Sequence, residues 1–241
     1  MFFDQSPFAV RFEWGAAGID GLGPVSDIVV IVDVLSFSTC VDIATARGAS
    51  VLPFPMWDQS AADYARQKNA LLAARRSVSE AGYSLSPLSL VGIPAGTRLV
   101  LPSPNGSALS LRAASYGTVV AACLRNAAAV AEFVRLRGGT VTVIACGERW
   151  SDGSLRPSWE DLIGAGAVIS HLPGSRSPEA QTAAEAFQQT EATLRQRLRE
   201  CSSGRELSER GFAGDVELAG EIGVSQCVPI LIDGEFVAYR T

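Results

Sequence analysis

Four short groups of residues in this chain have the types and spacing to do chemistry on an anion. Asp33 closes an apolar strand just before the turn Ser36-Phe37-Ser38-Thr39. A carboxylate at the carboxyl end of a strand can bind Mg²⁺, or act as nucleophile or base; the same residue type also caps helices. Asn105-Gly106-Ser107 supplies an amide, a glycine that admits a ligand to the backbone, and a hydroxyl, although Pro-Asn-Gly is also ordinary turn chemistry. Arg125-Asn126 offers a guanidinium fork for a phosphate or sulfonate and a helix-capping amide, with a solvated arginine as the competing reading of Arg125. Glu148, Arg149, Asp152, Arg156, Glu160 and Asp161 crowd one loop and the helix start after it. Such oxygen donors suit Mg²⁺, which takes one or two carboxylates and keeps waters. Neighbouring Glu160 and Asp161 point about 100° apart on a helix, so one is expected to face a site while the other caps.

The elements that must position these groups repeat. Ile28 to Val34, the turn at Ser36 to Thr39, a helix to Arg47, Gly48 and a strand Ser50 to Phe54 match Thr97 to Leu101, the turn at Ser103 to Ser107, a helix to Tyr116, Gly117 and a strand Thr118 to Ala122. Ser36 aligns with Asn105, Ser38 with Ser107 and Gly48 with Gly117. Each copy ends a strand at a helix start, where unpaired N–H groups and the positive helix end form a cradle for an anion.

Elsewhere the pattern predicts an edge strand over Phe8 to Trp14, a glycine-rich turn from Gly15 to Gly23, and a helix from Trp57 to Arg76 capped by Asp58. A loop follows from Ser77 to Pro94, then a helix Asn126 to Leu136, a strand Thr140 to Ala145 and a loop Cys146 to Pro157. Further helices are expected over Ser158 to His171, Glu179 to Glu200, Gly204 to Arg210 and Phe212 to Ile222, with a hairpin of Cys227 to Ile232 and Phe236 to Tyr239 turning on Asp233-Gly234. Strands alternating with helices predict an α/β fold with a mixed sheet, in a three-layer arrangement of two related strand-helix-strand subdomains. The expected organisation is one compact unit, 1–241, with internal duplication and approximate halves 1–95 and 96–241.

With 25 acidic and 20 basic residues the formal charge is −5, and no long basic run appears, which argues against nucleic acid as a partner. Residues 1–20 lack a signal-peptide pattern, and the apolar run Ile28 to Leu35 is interrupted by Asp33 and too short to span a bilayer, so the expectation is a cytoplasmic protein with no membrane partner. An exposed strand edge permits a homodimer. The five cysteines, Cys40, Cys123, Cys146, Cys201 and Cys227, contain no C-x-x-C pair and read as buried or inert thiols. A Cys146 nucleophile is a third reading, without a nearby histidine to form its thiolate; His171, the one histidine, ends a helix and complements its dipole.

The chain resembles the 2-phosphosulfolactate phosphatase family in the segments VIVDVLSFST at 30–39, PNGSA at 104–108, LRNAAAVA at 124–131, GERWSDGSLRPSWEDLIGAGAV at 147–168 and SGRELSERGFAGDVELAGEIGVSQCVP at 203–229. The resemblance implies an α/β fold, a Mg²⁺ site and an acidic small-molecule substrate, with Asp33, the Asn105 turn, Arg125-Asn126, Glu160-Asp161 and Asp215 at motif positions. It implies a Mg²⁺-dependent phosphatase that hydrolyses a small phosphorylated hydroxy acid, 2-phospho-3-sulfolactate to 3-sulfolactate and phosphate on a route to coenzyme M. The alternatives are a non-catalytic anion-binding protein on the same fold, or a phosphatase of another small acidic phosphate ester. Family members often carry arginine where this chain has Ser36, which removes one cation from the expected substrate site. The expected catalytic residues are Asp33, Arg125 and Asn105; the expected substrate contacts are Ser36, Ser38, Thr39, Gly106, Ser107, Asn126 and Arg149; the expected metal ligands are Asp33, Glu160 and Asp161.

Overall fold

The computed structural model describes residues 2–76 and 82–239. In chain order its elements are β1 (Val10–Trp14), α1 (Gly15–Leu22), β2 (Ile28–Val32), α2 (Phe37–Ala46), β3 (Ser50–Phe54), α3 (Gln59–Gln67), β4 (Leu71–Leu72), α4 (Pro87–Leu90), β5 (Arg98–Pro102), α5 (Gly106–Ala113) and β6 (Thr118–Ala122). Then follow α6 (Ala127–Arg137), β7 (Val141–Ala145), the short strands β8 (Glu148–Arg149) and β9 (Leu155–Arg156), α7 (Trp159–His171), α8 (Pro178–Thr190), α9 (Leu194–Glu200), α10 (Ser202–Glu209), α11 (Ala213–Ala219), β10 (Pro229–Ile232) and β11 (Glu235–Ala238).

The fold is α/β, built on a nine-stranded mixed sheet in the order β1-β7-β2-β6-β10-β11-β3-β5-β4. The repeated devices exchange strands: β2 of the first runs parallel to β6 of the second, Ile28 to Val32 against Thr118 to Ala122, while β3 runs parallel to β5, Ser50 to Phe54 against Arg98 to Pro102. Helices α2 and α5 therefore both cross between two parallel blocks. The antiparallel hairpin β10–β11 joins the blocks, pairing Ile230 with Val120 on one side and Phe236 with Val51 on the other. Strand β2 is apolar throughout because both of its faces are covered. Ile28, Val30 and Val32 join a core with Val130, Phe133, Ile163 and Phe187, and Val29 and Ile31 join a second core with Ile19, Phe37, Val41 and Leu109.

Several expected boundaries move. The Gly15 to Gly23 segment is a helix, α1, because Ile19 and Leu22 recur at helical spacing and are fully buried. Asp58 does cap α3, accepting from the Ala61 N–H at 3.2 Å, but that helix stops at Gln67, and Asn69 in the left-handed region turns the chain into β4. Residues 77–81 of the expected loop lie outside the described residues, and Pro87–Leu90 forms one helical turn. The Cys146 to Pro157 loop contains the β8–β9 ladder. The single helix expected over Glu179 to Glu200 breaks after Thr190, whose hydroxyl donates to the carbonyls of Ala186 and Phe187 and competes with the regular ladder. No helix among the described residues is long and apolar enough to cross a membrane.

Candidate active site

Asp33 leaves the end of β2 and meets the starts of both crossover helices. One carboxylate oxygen accepts the N–H of Phe37, the first residue of α2, at 3.1 Å; the other accepts the N–H of Gly106, the first residue of α5, at 2.9 Å. The two cradles expected from the sequence thus converge, and the anion between them is the protein's own carboxylate. Position 106 must be glycine for this approach, since a Cβ there would lie 2.2 Å from the Phe37 ring and 2.7 Å from the Asp33 carboxylate. Ser36 and Asn105, the aligned turn residues, are the N-caps of α2 and α5.

A cavity of about 330 Å³ opens at these strand ends, lined by Asp33, Ser36, Asn105, Glu148 and Glu206, by Arg75, Arg76 and Arg210, and by Trp57, Leu85 and Leu207. Glu148 accepts a 2.8 Å hydrogen bond from the Asn105 side-chain amide. Glu160 is buried behind this wall, at the start of α7, and its charge acts on both Asp33 and Glu148. Burial, aided by Glu160, raises Asp33 to about 6 against the pull of its two backbone N–H groups and Arg76. Burial and the Asp33 charge raise Glu148 to about 7. The pocket therefore joins, in one space, an acidic pole that resists full ionisation and a basic pole of three arginines.

Other expected site residues go elsewhere. Asp161 uses one oxygen for the Val34 N–H and the other for the Gly147 N–H and the Ser158 hydroxyl, which ties the ends of β2 and β7 to the start of α7. Burial pushes its carboxyl well above the usual range. Ser38, Thr39 and Ser107 are fully buried and donate to the carbonyls of Asp33, Val34 and Leu101, so they fix the turns rather than face the cavity. Asn126 is fully buried, with its side chain bonded to the backbone of Cys123, Ala121 and Cys227. The structure does not bring Arg125 to the cavity: its guanidinium pairs with Asp42 at 3.2 Å and with Glu221, beside a separate hollow of about 600 Å³. Asp42 is buried in the middle of α2, which draws the arginine away from the strand tips. Arg149 is exposed and lines a neighbouring hollow with Asn105 and Glu148.

Burial pushes the Cys146 thiol well above its ordinary value, which removes the thiolate a cysteine nucleophile requires. Asp215 is fully buried under the basic pole, where its carboxylate accepts from the Ser86 hydroxyl at 2.6 Å and faces Arg76. Sequence reasoning assigned no role to Arg75, Arg76 or Arg210, and noted Glu148 without one. The doubled arginine at 75–76 in an acidic chain, the charged loop around Glu148 and the segment 203–229 that contains Arg210 were the local signals.

No three His, Cys, Asp or Glu side chains among the described residues are arranged to hold a metal between them, and Asp161 accepts three hydrogen bonds against two for Asp33. A pole with one or two carboxylates suits Mg²⁺, which completes its shell with waters. Asp33 and Glu160, buried and mutually repelling, are the pair a divalent cation would relieve.

The fold and site define an α/β protein with an acid-and-arginine cavity at the carboxyl ends of parallel strands. The model of the 2-phosphosulpholactate phosphatase family matches residues 20–234, and the chain belongs to that family. It is 27% identical over 221 residues to a protein of Pseudothermotoga lettingae named probable 2-phosphosulfolactate phosphatase, covering 89% of this chain and 94% of that one. A protein of the same name from Carboxydothermus hydrogenoformans is 30% identical over 208 residues, covering 83% and 84%. Another from Deinococcus radiodurans is 28% identical over 224 residues, covering 88% and 90%.

Proposed function

We propose that this protein is a Mg²⁺-dependent phosphatase of a small acidic phosphate ester, with 2-phospho-3-sulfolactate, the substrate in its relatives' names, as the first candidate. The observation that carries the reading is the shared cavity, where Asp33, Asn105 and Glu148 line the same space as Arg75, Arg76 and Arg210. Phosphoryl transfer needs little covalent help from a protein and much positioning and charge stabilisation. The arginines neutralise the ester's oxygens, and the apolar wall of Leu85 and Leu207 reduces competing water around them. Asp33 and Glu160 would hold Mg²⁺, which when bound adds positive charge beside the phosphoryl oxygens. Glu148, oriented by Asn105, is the group within the cavity that can give a proton to the leaving oxygen as water bonds to phosphorus and the ester P–O bond breaks, which releases the free hydroxyl and phosphate.

The test is phosphate release from 2-phospho-3-sulfolactate, 2-phospholactate and p-nitrophenyl phosphate, with Mg²⁺ and with EDTA. Release that needs Mg²⁺ and is lost in Asp33→Asn supports the reading. Ligand-induced thermal stabilisation with no release from any ester would identify an anion-binding protein instead. Unchanged hydrolysis in Asp33→Asn would remove Asp33 from the chemistry.

A further inference from the structure

We infer that Arg76 is the residue that grips the ligand's oxyanion and that Asp215 positions it. This deepens the proposed function and rests on the same cavity. Of the three lining arginines, Arg75 and Arg210 are exposed, and they are occupied by the Trp57 carbonyl at 3.0 Å and by Glu206 at 3.0 Å. The Arg76 side chain is only 12% exposed. One terminal nitrogen donates to the Ser36 hydroxyl at 2.7 Å and to the Leu85 carbonyl, and the guanidinium carbon lies 5.2 Å from the centre of the Phe212 ring. No described residue accepts from its other terminal nitrogen. The side chain is thus held on several sides with donor capacity left over, beside a pocket whose other pole is acidic.

Asp215 is built to hold it there. One oxygen of this fully buried carboxylate accepts from the Ser86 hydroxyl at 2.6 Å and the Leu88 N–H at 3.2 Å, which fixes the group on α4. The other oxygen faces Arg76 Nε at 3.5 Å, and neither of those two buried atoms has a hydrogen-bond partner. A buried charge pair left this loose is half satisfied. A small rotation of the guanidinium toward an anion in the cavity is compatible with closing that gap, so ligand contact and the Asp215 contact can improve together. The planar fork matches two oxygens of a phosphate or sulfonate, which an ammonium does not. The site also accounts for an arginine-free turn at Ser36: the hydroxyl there accepts from a cation supplied by a distant segment.

The experiment is calorimetric titration of inorganic phosphate, with Mg²⁺ present, into the full chain and three variants. Arg76→Gln weakens binding about tenfold or more, and Arg76→Lys recovers part of the loss because it keeps the charge without the fork. Asp215→Asn keeps an oxygen for Ser86 and Leu88 but loses the charge. It weakens binding about threefold to tenfold and raises KM for p-nitrophenyl phosphate by more than it lowers kcat. Phosphate affinity within about twofold of the parent in Arg76→Gln overturns the assignment. If Asp215→Asn does not fold, the comparison of Arg76→Lys with Arg76→Gln decides alone, equal affinities in those two refuting the fork. A parent protein that binds phosphate through Arg76 yet hydrolyses no ester would defeat the phosphatase reading and leave this one standing.

Discussion

Replacing Glu148 with Gln should stabilise the metal-free protein, and should do so only at neutral and alkaline pH. The folded state holds this carboxyl's proton more tightly than the unfolded chain does, since burial and the Asp33 charge raise it from 4.5 to about 7. Between those values the native state binds more protons than the unfolded state, so stability falls as pH rises through the window and the loss is complete above it. The rise corresponds to about 3 kcal/mol. Water in the cavity screens part of the repulsion, which leaves about 2 kcal/mol. Gln carries no charge to repel and still offers an oxygen to the Asn105 amide, so the variant escapes the loss. In a protein of this size that is a rise in Tm of about 4–8 °C. Thermal melts in EDTA at about pH 8 and about pH 4.5 read it, with the gain at the higher pH shrinking toward zero at the lower. An equal difference at both pH values, or a less stable variant at pH 8, would show that the acidic pole is not the strained assembly described.

Arg125→Ala leaves Asp42 buried without its partner and should cost about 3–5 kcal/mol in urea unfolding. The specific activity of the fraction that remains folded should match the parent, because Arg125 lies outside the cavity; a selective loss of turnover would return it to the site. Gly106→Ala forces a methyl against Phe37 and Asp33 and should destabilise by about 1–3 kcal/mol, read as a lower urea midpoint with an unchanged m-value. Asp161→Ala strips the acceptor from the buried Val34 and Gly147 N–H groups and should cost about 2–4 kcal/mol, with a parent-like melting curve as the contrary result.

The sequence shows the repeated strand-helix-strand units because buried strands and helix starts leave local marks: β2 and β3, β5 and β6 fall where the alternation of apolar runs and small-residue turns puts them. The alignment of Ser36 with Asn105 was legible for the same reason, and the structure puts both at helix starts beside one cavity. The exchange of strands between the units was not, since no local pattern specifies which edge a strand joins. Asp33 was read correctly as a strand-end acid, but its role in bridging two helix starts needed α2 and α5 side by side. Arg125 sits where a ligand-binding arginine would, and only the tertiary packing reveals that Asp42 claims it. Arg76 gave the opposite result: it ends a segment read as one helix from Trp57, with no site role, and a turn at Asn69 carries it into the pocket instead. Side chains drawn to a site from remote positions leave no periodic trace.

The β10–β11 hairpin follows every other strand of the nine in chain order, yet it occupies the middle of the sheet. A ribosome therefore delivers the keystone after both halves it must join. Until then the growing chain carries two half-sheets whose facing edges, β6 and β3, have unpaired backbone groups available to each other or to a neighbouring molecule. Quality control during synthesis would fall most heavily on that interval, and truncations just before Pro229 should be far more prone to aggregation than losses of equal length from the surface helices.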